Sequence, residues 1–401
     1  MKKKLIGRRD FMKSTLAGFG GFFFLGSNHK GQEIRVAETK GKERKFVYRT
    51  LGKTGLKLPV INMGVMNSDN PNLIRAALDS GIVLLDTAHA YMGGRNEEVI
   101  GSVIKGRPRD SFAIGSKVSL PGDRTTGVYS EGATTEEFLK KLDISLKRLG
   151  LDYVDILYHH GVARKEAAHF EPALKALEKA KKDGKIRFAG ISTHMNEPEV
   201  IHAAVDAKVY DVILTAYNSR QKHYAEIRDA IARAAQAGLG IVGMKAIRGG
   251  NRQAPNVKNT GAALKWVLSD PNVHITVPGF TTFEELDLDL ALMENLALSD
   301  DEKKDLQKEA FIPGLYCQGC RDCLGVCPER LPIPDLMRAY MYTYDYRNLA
   351  IAQDLVVSFN LPARVCGDCS ECLVNCSSGF NVSAKIRDVV RLREVPSEFI
   401  A

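Results

Sequence analysis

LPVINMGVMNSDNPN, residues 58–72, decides the fold. Its apolar run ends at Val65 and reads as a short buried strand. A doubly wound sheet would follow its first strand with a glycine-rich phosphate turn of the form G-x-G-x-x-G. NMGVMNSDNPN (62–72) supplies none. Seven more apolar runs follow: IVLLDTA (82–88), FAIGSKV (112–118), YVDILYHH (153–160), IRFAGIS (186–192), YDVILTAY (210–217), GIVGMKA (240–246) and VHITVPG (273–279). Between them lie helical patterns such as TEEFLKKLDISLKRLG (135–150) and FEPALKALEKAKKDG (170–184). In the second, Leu174, Leu177 and Ala180 recur at helical spacing and Gly184 is a C-terminal stop. Eight strands, each with a following helix, predict an α/β protein built on a (β/α)8 TIM barrel over residues 46–310.

Composition agrees with a folded protein. The 401 residues are 44% hydrophobic and 26% charged, which excludes a mainly disordered chain, a collagen-like repeat and a polytopic membrane protein. The formal charge of +8 is unevenly placed. Residues 1–49 hold thirteen Lys or Arg against Asp10, Glu33, Glu38 and Glu43, a net of +9, which leaves −1 for the rest. A near-neutral body is not the footprint of a nucleic-acid binder. In MKKKLIGRRDFMKSTLAGFGGFFFLG (1–26), a basic stretch precedes an apolar run too short to span a bilayer, as in a signal peptide. Gly7-Arg8-Arg9-Asp10-Phe11-Met12-Lys13 resembles the twin-arginine export signal. That resemblance implies a leader and linker over residues 1–45, recognition by the twin-arginine export machinery, and export across the cytoplasmic membrane to the periplasm or cell envelope. The leader is then either cleaved or retained as an anchor.

All eight cysteines lie between Cys317 and Cys376. Cys317, Cys320, Cys323 and Cys327 form C-x2-C-x2-C-x3-C followed by Pro328. Cys366, Cys369, Cys372 and Cys376 repeat the spacing, with Ser377 in place of the proline. This is the ligand run of bacterial ferredoxins and predicts two [4Fe–4S] clusters. Zinc sites are more often built from C-x2-C pairs. In two-cluster ferredoxins the fourth thiolate of each run ligates the other cluster. The resemblance therefore implies one cluster on Cys317, Cys320, Cys323 and Cys376, and a second on Cys366, Cys369, Cys372 and Cys327. IPDLMRAYMYTYDYRNLAIAQDLV (333–356) reads as helix, so residues 311–401 are expected to form a small, mainly α-helical ferredoxin-like domain.

Catalysis in such barrels sits at the C-terminal ends of the strands. The polar residues there are Asp86 and Tyr91 after the second strand, Lys117 at the end of the third, and His160 at the end of the fourth. LLDTAHAYMGGRNEEVIG (84–101), GSKV (115–118), DILYHH (155–160), KIRFAGIST (185–193) and GMKAIRGG (243–250) together resemble the aldo-keto reductase family. The resemblance implies hydride transfer between a carbonyl and an alcohol, with Tyr91, Lys117, Asp86 and His160 as the catalytic residues. His159 competes with His160. Alternate strand residues face opposite ways, and family spacing selects His160. A phenol of pKa ~10 is a weak acid at neutral pH. A lysine ammonium beside Tyr91 is expected to lower that pKa, with Asp86 holding Lys117 and His160 orienting the carbonyl.

The resemblance also implies NAD(H) or NADP(H) across the barrel mouth, and here the sequence departs from the family. The carboxamide-holding positions read Ser192, Thr193 and Leu214, and the ring-stacking position reads Met244, followed by Lys245. After the eighth strand, Pro278-Gly279-Phe280-Thr281-Thr282-Phe283-Glu284-Glu285 replaces the basic clamp for a 2′-phosphate. Gly279 and Thr281 are the remaining cofactor contacts. Phosphate recognition leans on Lys and Arg, so three readings stay open: NAD(H) in place of NADP(H), a nicotinamide held by backbone groups, or a barrel without a soluble nicotinamide. The expected function is an exported iron–sulfur oxidoreductase acting on a small carbonyl or alcohol, with a redox partner for the clusters. The alternative is an electron-transfer or binding protein with a degenerate barrel.

Overall fold

The computed structural model describes residues 44–123, 127–247, 259–310, 316–367, 369 and 372–400. The twin-arginine segment and the Arg248-Gly249-Gly250 end of the seventh-strand motif lie outside the described residues. Eight strands form one parallel sheet: β1 (Met63–Gly64), β2 (Leu84–Asp86), β3 (Ala113–Val118), β4 (Val154–His159), β5 (Ile186–Thr193), β6 (Val212–Ala216), β7 (Gly240–Met244) and β8 (Ile275–Thr276). They pair strictly in chain order, so the sheet has no switch point of the doubly wound kind. Parallel bridges Ile61↔Thr276 and Gly64↔Gly279 join the first strand to the last. Hydrogen bonds from Thr276 N to Val60 O (2.8 Å) and from Gly64 N to Pro278 O (2.9 Å) close the circle. A Cβ on Gly64 would lie 2.7 Å from Val277 O, so only glycine lets the two backbones approach there.

Burial follows the pleat. Leu84, Ile156, Leu214, Val242 and Ile275 fill the barrel interior with Leu51, Leu56 and Leu58. The last three come from a hairpin pairing Tyr48–Thr50 with Lys57–Pro59. The outward-facing strand residues pack on the helices α1 (Pro71–Asp79), α2 (Arg95–Ile104), α3 (Thr135–Leu149), α4 (Glu171–Lys182), α5 (Glu197–Ala207), α6 (Tyr224–Gln236), α7 (Thr260–Ser269) and α8 (Phe283–Leu292). Helix α3 shows how the sequence sets such an element. The Thr134 hydroxyl accepts from Glu137 N to cap its start, and Gly150 at φ 67° ends it in the left-handed conformation. Phe138, Leu142, Leu146 and Leu149 then form its buried stripe, and burying each stabilises by about 1.5–3 kcal/mol.

Beyond helix α9 (Asp300–Ala310), the chain carries α10 (Ile333–Tyr344), α11 (Leu349–Val357) and α12 (Val382–Val389). Their core holds Leu331, Leu336, Met337, Leu355, Val356, Ile386 and Val389, with Cys366 buried and Cys317, Cys323, Cys327 and Cys376 packed against it. The helix expected over 333–356 is two helices. The chain turns at Asp345–Asn348, where Arg347 takes φ 51° and the Asn348 side chain accepts from Ile351 N to cap α11. The turn carries Tyr346 to the barrel mouth, where its hydroxyl accepts from Lys245 Nζ at 2.8 Å. Among the described residues no helix is long and apolar enough to cross a membrane.

Candidate active site

Strand ends place the four candidate catalytic groups together. Asp86 ends β2 and Lys117 lies near the end of β3, on neighbouring strands. Lys117 Nζ donates to Asp86 Oδ1 at 2.5 Å and to Thr87 O at 2.6 Å. Tyr91 follows β2 in a short 3-10 turn, with its ring centroid 5.0 Å from Lys117 Nζ and 6.0 Å from the His160 ring, edge to face. Beneath this loop, buried Glu97 accepts from Ser116 Oγ (2.7 Å) and Arg148 (3.3 Å). Asn96 accepts from Thr87 Oγ1 at 2.6 Å. These bonds hold the β2–α2 connection against the third strand and α3.

The adjacent histidines separate as the pleat requires. His159 is 1% exposed and turns toward α3, where its Nε2 is 2.6 Å from the Tyr129 hydroxyl and its ring packs on Tyr129 and Phe138. Burial pushes its pKa down to about 4. His160 lines the cavity with Tyr91 and Lys117, and its Nδ1 is 3.1 Å from Ser119 Oγ. That cavity is about 290 Å³.

The electrostatics correct one expectation. The Tyr91 pKa is raised well above the ordinary phenol value, first by burial, then by the Asp86 carboxylate and by Tyr342 and Tyr346. Lys117 lies over the ring face and is engaged by Asp86, while burial lowers its own pKa. Tyr91 is thus held as a neutral hydrogen-bond donor.

The cofactor candidates divide. Ser192, Met244 and Lys245 line the catalytic cavity. Ser192 Oγ accepts from Gly161 N at 2.9 Å and so braces the loop after His160. Met244, Lys245, Gly279 and Thr281 line a neighbouring cavity of about 230 Å³. Leu214 and Thr193 line neither. Leu214 is part of the apolar barrel interior, and Thr193 Oγ1 donates to Met195 O at 2.9 Å. At the start of α8, Glu285 Oε2 accepts from Thr281 N at 2.7 Å, so a carboxylate takes the donor that a phosphate would use. Sequence reasoning missed Ser119, and missed the groups that the C-terminal helices bring to the mouth: Asp335, Arg338, Tyr342 and Tyr346. No local pattern marks them.

The cysteines fall into two neighbourhoods, all with free thiols. Burial pushes the Cys323 thiol up to about 11, and Cys320 and Cys376 add to it. Burial also pushes the Cys366 thiol up to about 11, with Glu329, Cys327, Cys369 and Cys372 adding. Cys320 Sγ is 3.1 Å from Ser377 Oγ, beside Cys376. Among the described residues no group of three His, Cys, Asp or Glu has the arrangement to hold a single metal ion. The first run also abuts the barrel. A Cβ on Gly319 would lie 3.0 Å from His194 O, and Lys222 pairs with Asp322 at 2.9 Å.

A closed parallel barrel with its polar side chains gathered at the strand C-termini defines the class, a TIM-type barrel with a site at the conventional end. The Aldo/keto reductase family model matches residues 62–262, and the chain belongs to that family. It is 34% identical over 163 residues to the L-glyceraldehyde 3-phosphate reductase of Escherichia coli, a match covering 37% of this chain and 46% of that protein. It is 33% identical over 163 residues to the L-galactose dehydrogenase of Arabidopsis thaliana, covering 37% and 49%. The matches thus span about half the length of these relatives. In fold it is similar to the aldo-keto reductase AKR11C1 from Bacillus halodurans, with a TM-score of 0.55 and 22% identity over 69% of this chain and all of that one.

Proposed function

We propose that this chain is an exported iron–sulfur oxidoreductase that reduces a small carbonyl compound to the alcohol. The observation carrying the reading is the convergence of Tyr91, Lys117 and His160 on one cavity, with Asp86 locked to Lys117. When bound, a reduced nicotinamide supplies the hydride. His160 and Tyr91 hydrogen-bond the carbonyl oxygen, and Tyr91 passes its proton to that oxygen as alkoxide charge develops. The Lys117 ammonium beside the ring stabilises the phenolate left behind, and solvent reprotonates it. Arg338, Tyr342 and Leu355 of the C-terminal helices line the same cavity.

The residues suit the two groups the family resemblance implies, to different degrees. Each cysteine neighbourhood offers four thiols, and burial makes the Cys317, Cys323 and Cys366 thiolates costly unless a cation neutralises them. Cys317, Cys320, Cys323 and Cys376 would hold one cluster; Cys327, Cys366, Cys369 and Cys372 would hold the other. When bound, the clusters supply single-electron transfer to a redox partner. For the nicotinamide, Glu285 at Thr281 N favours NAD(H) over NADP(H). A second reading, an electron-transfer protein with a degenerate barrel, draws support from Tyr346, which takes up room above Lys245 at the expected nicotinamide site.

Anaerobic titration of the holo-protein with NADH and NADPH, followed by cluster absorbance, tests the coupling. Reduction by NADH is expected, and no reduction by either nucleotide favours the second reading. Replacing Tyr91 with Phe is expected to lower carbonyl reduction about 10²–10⁴-fold. Unchanged turnover in that variant removes the enzyme reading.

A further inference from the structure

Lys245 has a place and an environment that the reaction above leaves unused. It follows β7 directly and takes a left-handed backbone, φ 55°, a conformation that costs a non-glycine residue roughly 1–2 kcal/mol. That turn sends the side chain to the junction of three cavities. One is the catalytic cavity, one the groove over Gly279, and one a smaller space beside Cys317. Its ammonium donates to the Tyr346 hydroxyl and lies 4.8 Å from that ring's centroid. Among the described residues no carboxylate lies within 4.0 Å of it. Arg338, from α10, faces the same catalytic cavity with its side chain 14% exposed. Its one close acidic neighbour is Asp335, at 3.6 Å, beyond hydrogen-bond length. Two enclosed cations with unspent donors thus share a cavity with Tyr91 and His160.

The charge balance selects the ligand. Lys117 is neutralised by Asp86, so that pair contributes nothing net. Lys245 and Arg338 are offset by Asp335 and by buried Asp345, whose carboxylate acts electrostatically on Lys245, and Asp354 at the cavity rim is exposed and screened by water. Two cations so offset lack the surplus charge that a phosphate dianion needs, and a monocarboxylate suits them better. The planar guanidinium suits a carboxylate's two oxygens, and the ammonium adds a point charge beside it. We propose that Lys245 and Arg338 form a carboxylate subsite, so that the substrate is a short oxo acid whose carbonyl oxygen meets Tyr91 and His160. This rests on the reductase reading for the reaction, and on the two cations alone for the binding.

Isothermal titration of the holo-protein with oxamate, an unreactive oxo-acid analogue, tests the subsite without turnover. Lys245→Met and Arg338→Met are each expected to weaken oxamate by at least about tenfold, the worth of a charged hydrogen bond. Lys245→Arg, which keeps the charge, should retain most of the affinity and guards against a misfolded Met variant. Neutral acetamide should bind no more weakly to the Met variants than to the parent. Oxamate affinity unchanged in both Met variants overturns the proposal. So does inorganic pyrophosphate displacing oxamate with the greater dependence on Lys245, which would assign the cations to a dinucleotide. Tyr91→Phe separates the two readings, because it should lose NADH-dependent reduction of pyruvate while its remaining oxamate binding still depends on Lys245 and Arg338. Lysine-dependent oxamate binding in a protein that never reduces pyruvate leaves the subsite standing and removes the reductase.

Discussion

The barrel and the C-terminal helices are completed by different means. Hydrocarbon fills the barrel from wall to wall, and Leu58, Leu84, Ile156, Leu214 and Ile275 are all wholly buried. Buried Glu97, behind the strands, is met by Ser116 and Arg148. The core around α10–α12 instead ends on sulphur, with Cys366 buried and four more cysteines packed against the aliphatic side chains. Hydrophobic burial alone stabilises a core of the first kind. With the clusters proposed above, a core of the second kind is finished only when its thiols bind them.

Anaerobic chelation of the iron of the proposed clusters should break that comparison most visibly. Hydrogen-exchange protection is expected to vanish across α10–α12 while β2–β7 keep theirs. Equal loss in both regions would mean that the barrel leans on the helices for its stability. A second test concerns the barrel's own buried titrating group. The folded pKa of His159 is about 4 against ~6.5 in the unfolded chain. Between those values the unfolded state binds the extra proton, so stability falls as pH drops from 6.5 toward 4. The contribution amounts to about 3 kcal/mol. His159→Phe should flatten chemical-denaturation stability over that window, and an unchanged slope would place the acid sensitivity elsewhere.

Smaller effects probe the seam between the regions. Burial first and Arg338 second lower the Lys245 pKa to about 7, against the pull of Asp345, with Lys117 also lowering it and Tyr342 and Tyr346 packed alongside. The ammonium is therefore lost as pH rises through about 7. Oxamate affinity should fall about tenfold from pH 6 to pH 9, and Lys245→Arg should abolish the dependence. Smallest is the charge at α8. Glu285→Gln should tighten NADPH by roughly two- to fivefold, in line with helix-end charge effects, and leave NADH unchanged. A larger gain for NADH would mean that Glu285 opposes the pyrophosphate and not the 2′-phosphate.

The eight strands were legible because each is a short apolar run between helical patterns, and they appear in the expected order. Their ends were less so. The run over 240–246 stops at Met244 because Lys245 is left-handed, and the 333–356 helix breaks where Asn348 caps a new one. Asp86, Tyr91 and Lys117 could be picked out as polar residues at strand ends, since adjacent parallel strands present their ends on one rim, whereas the preference for His160 over His159 came from the family resemblance alone. The direction of the Tyr91 pKa could not be named, because it depends on burial, on the Asp86 carboxylate and on Tyr342 and Tyr346, which lie about 250 residues further along the chain.

By itself the sequence determined the strand order, the rim residues and the pairing of cysteine spacings, all of which are set within a few residues along the chain. Only the tertiary structure decided which histidine faces the cavity, what closes the mouth and how the cations Lys245 and Arg338 are placed there. Those depend on contacts such as Lys245 to Tyr346, 101 residues apart. Periodicity carries no information across such a distance, because packing and not the local backbone brings the two side chains together.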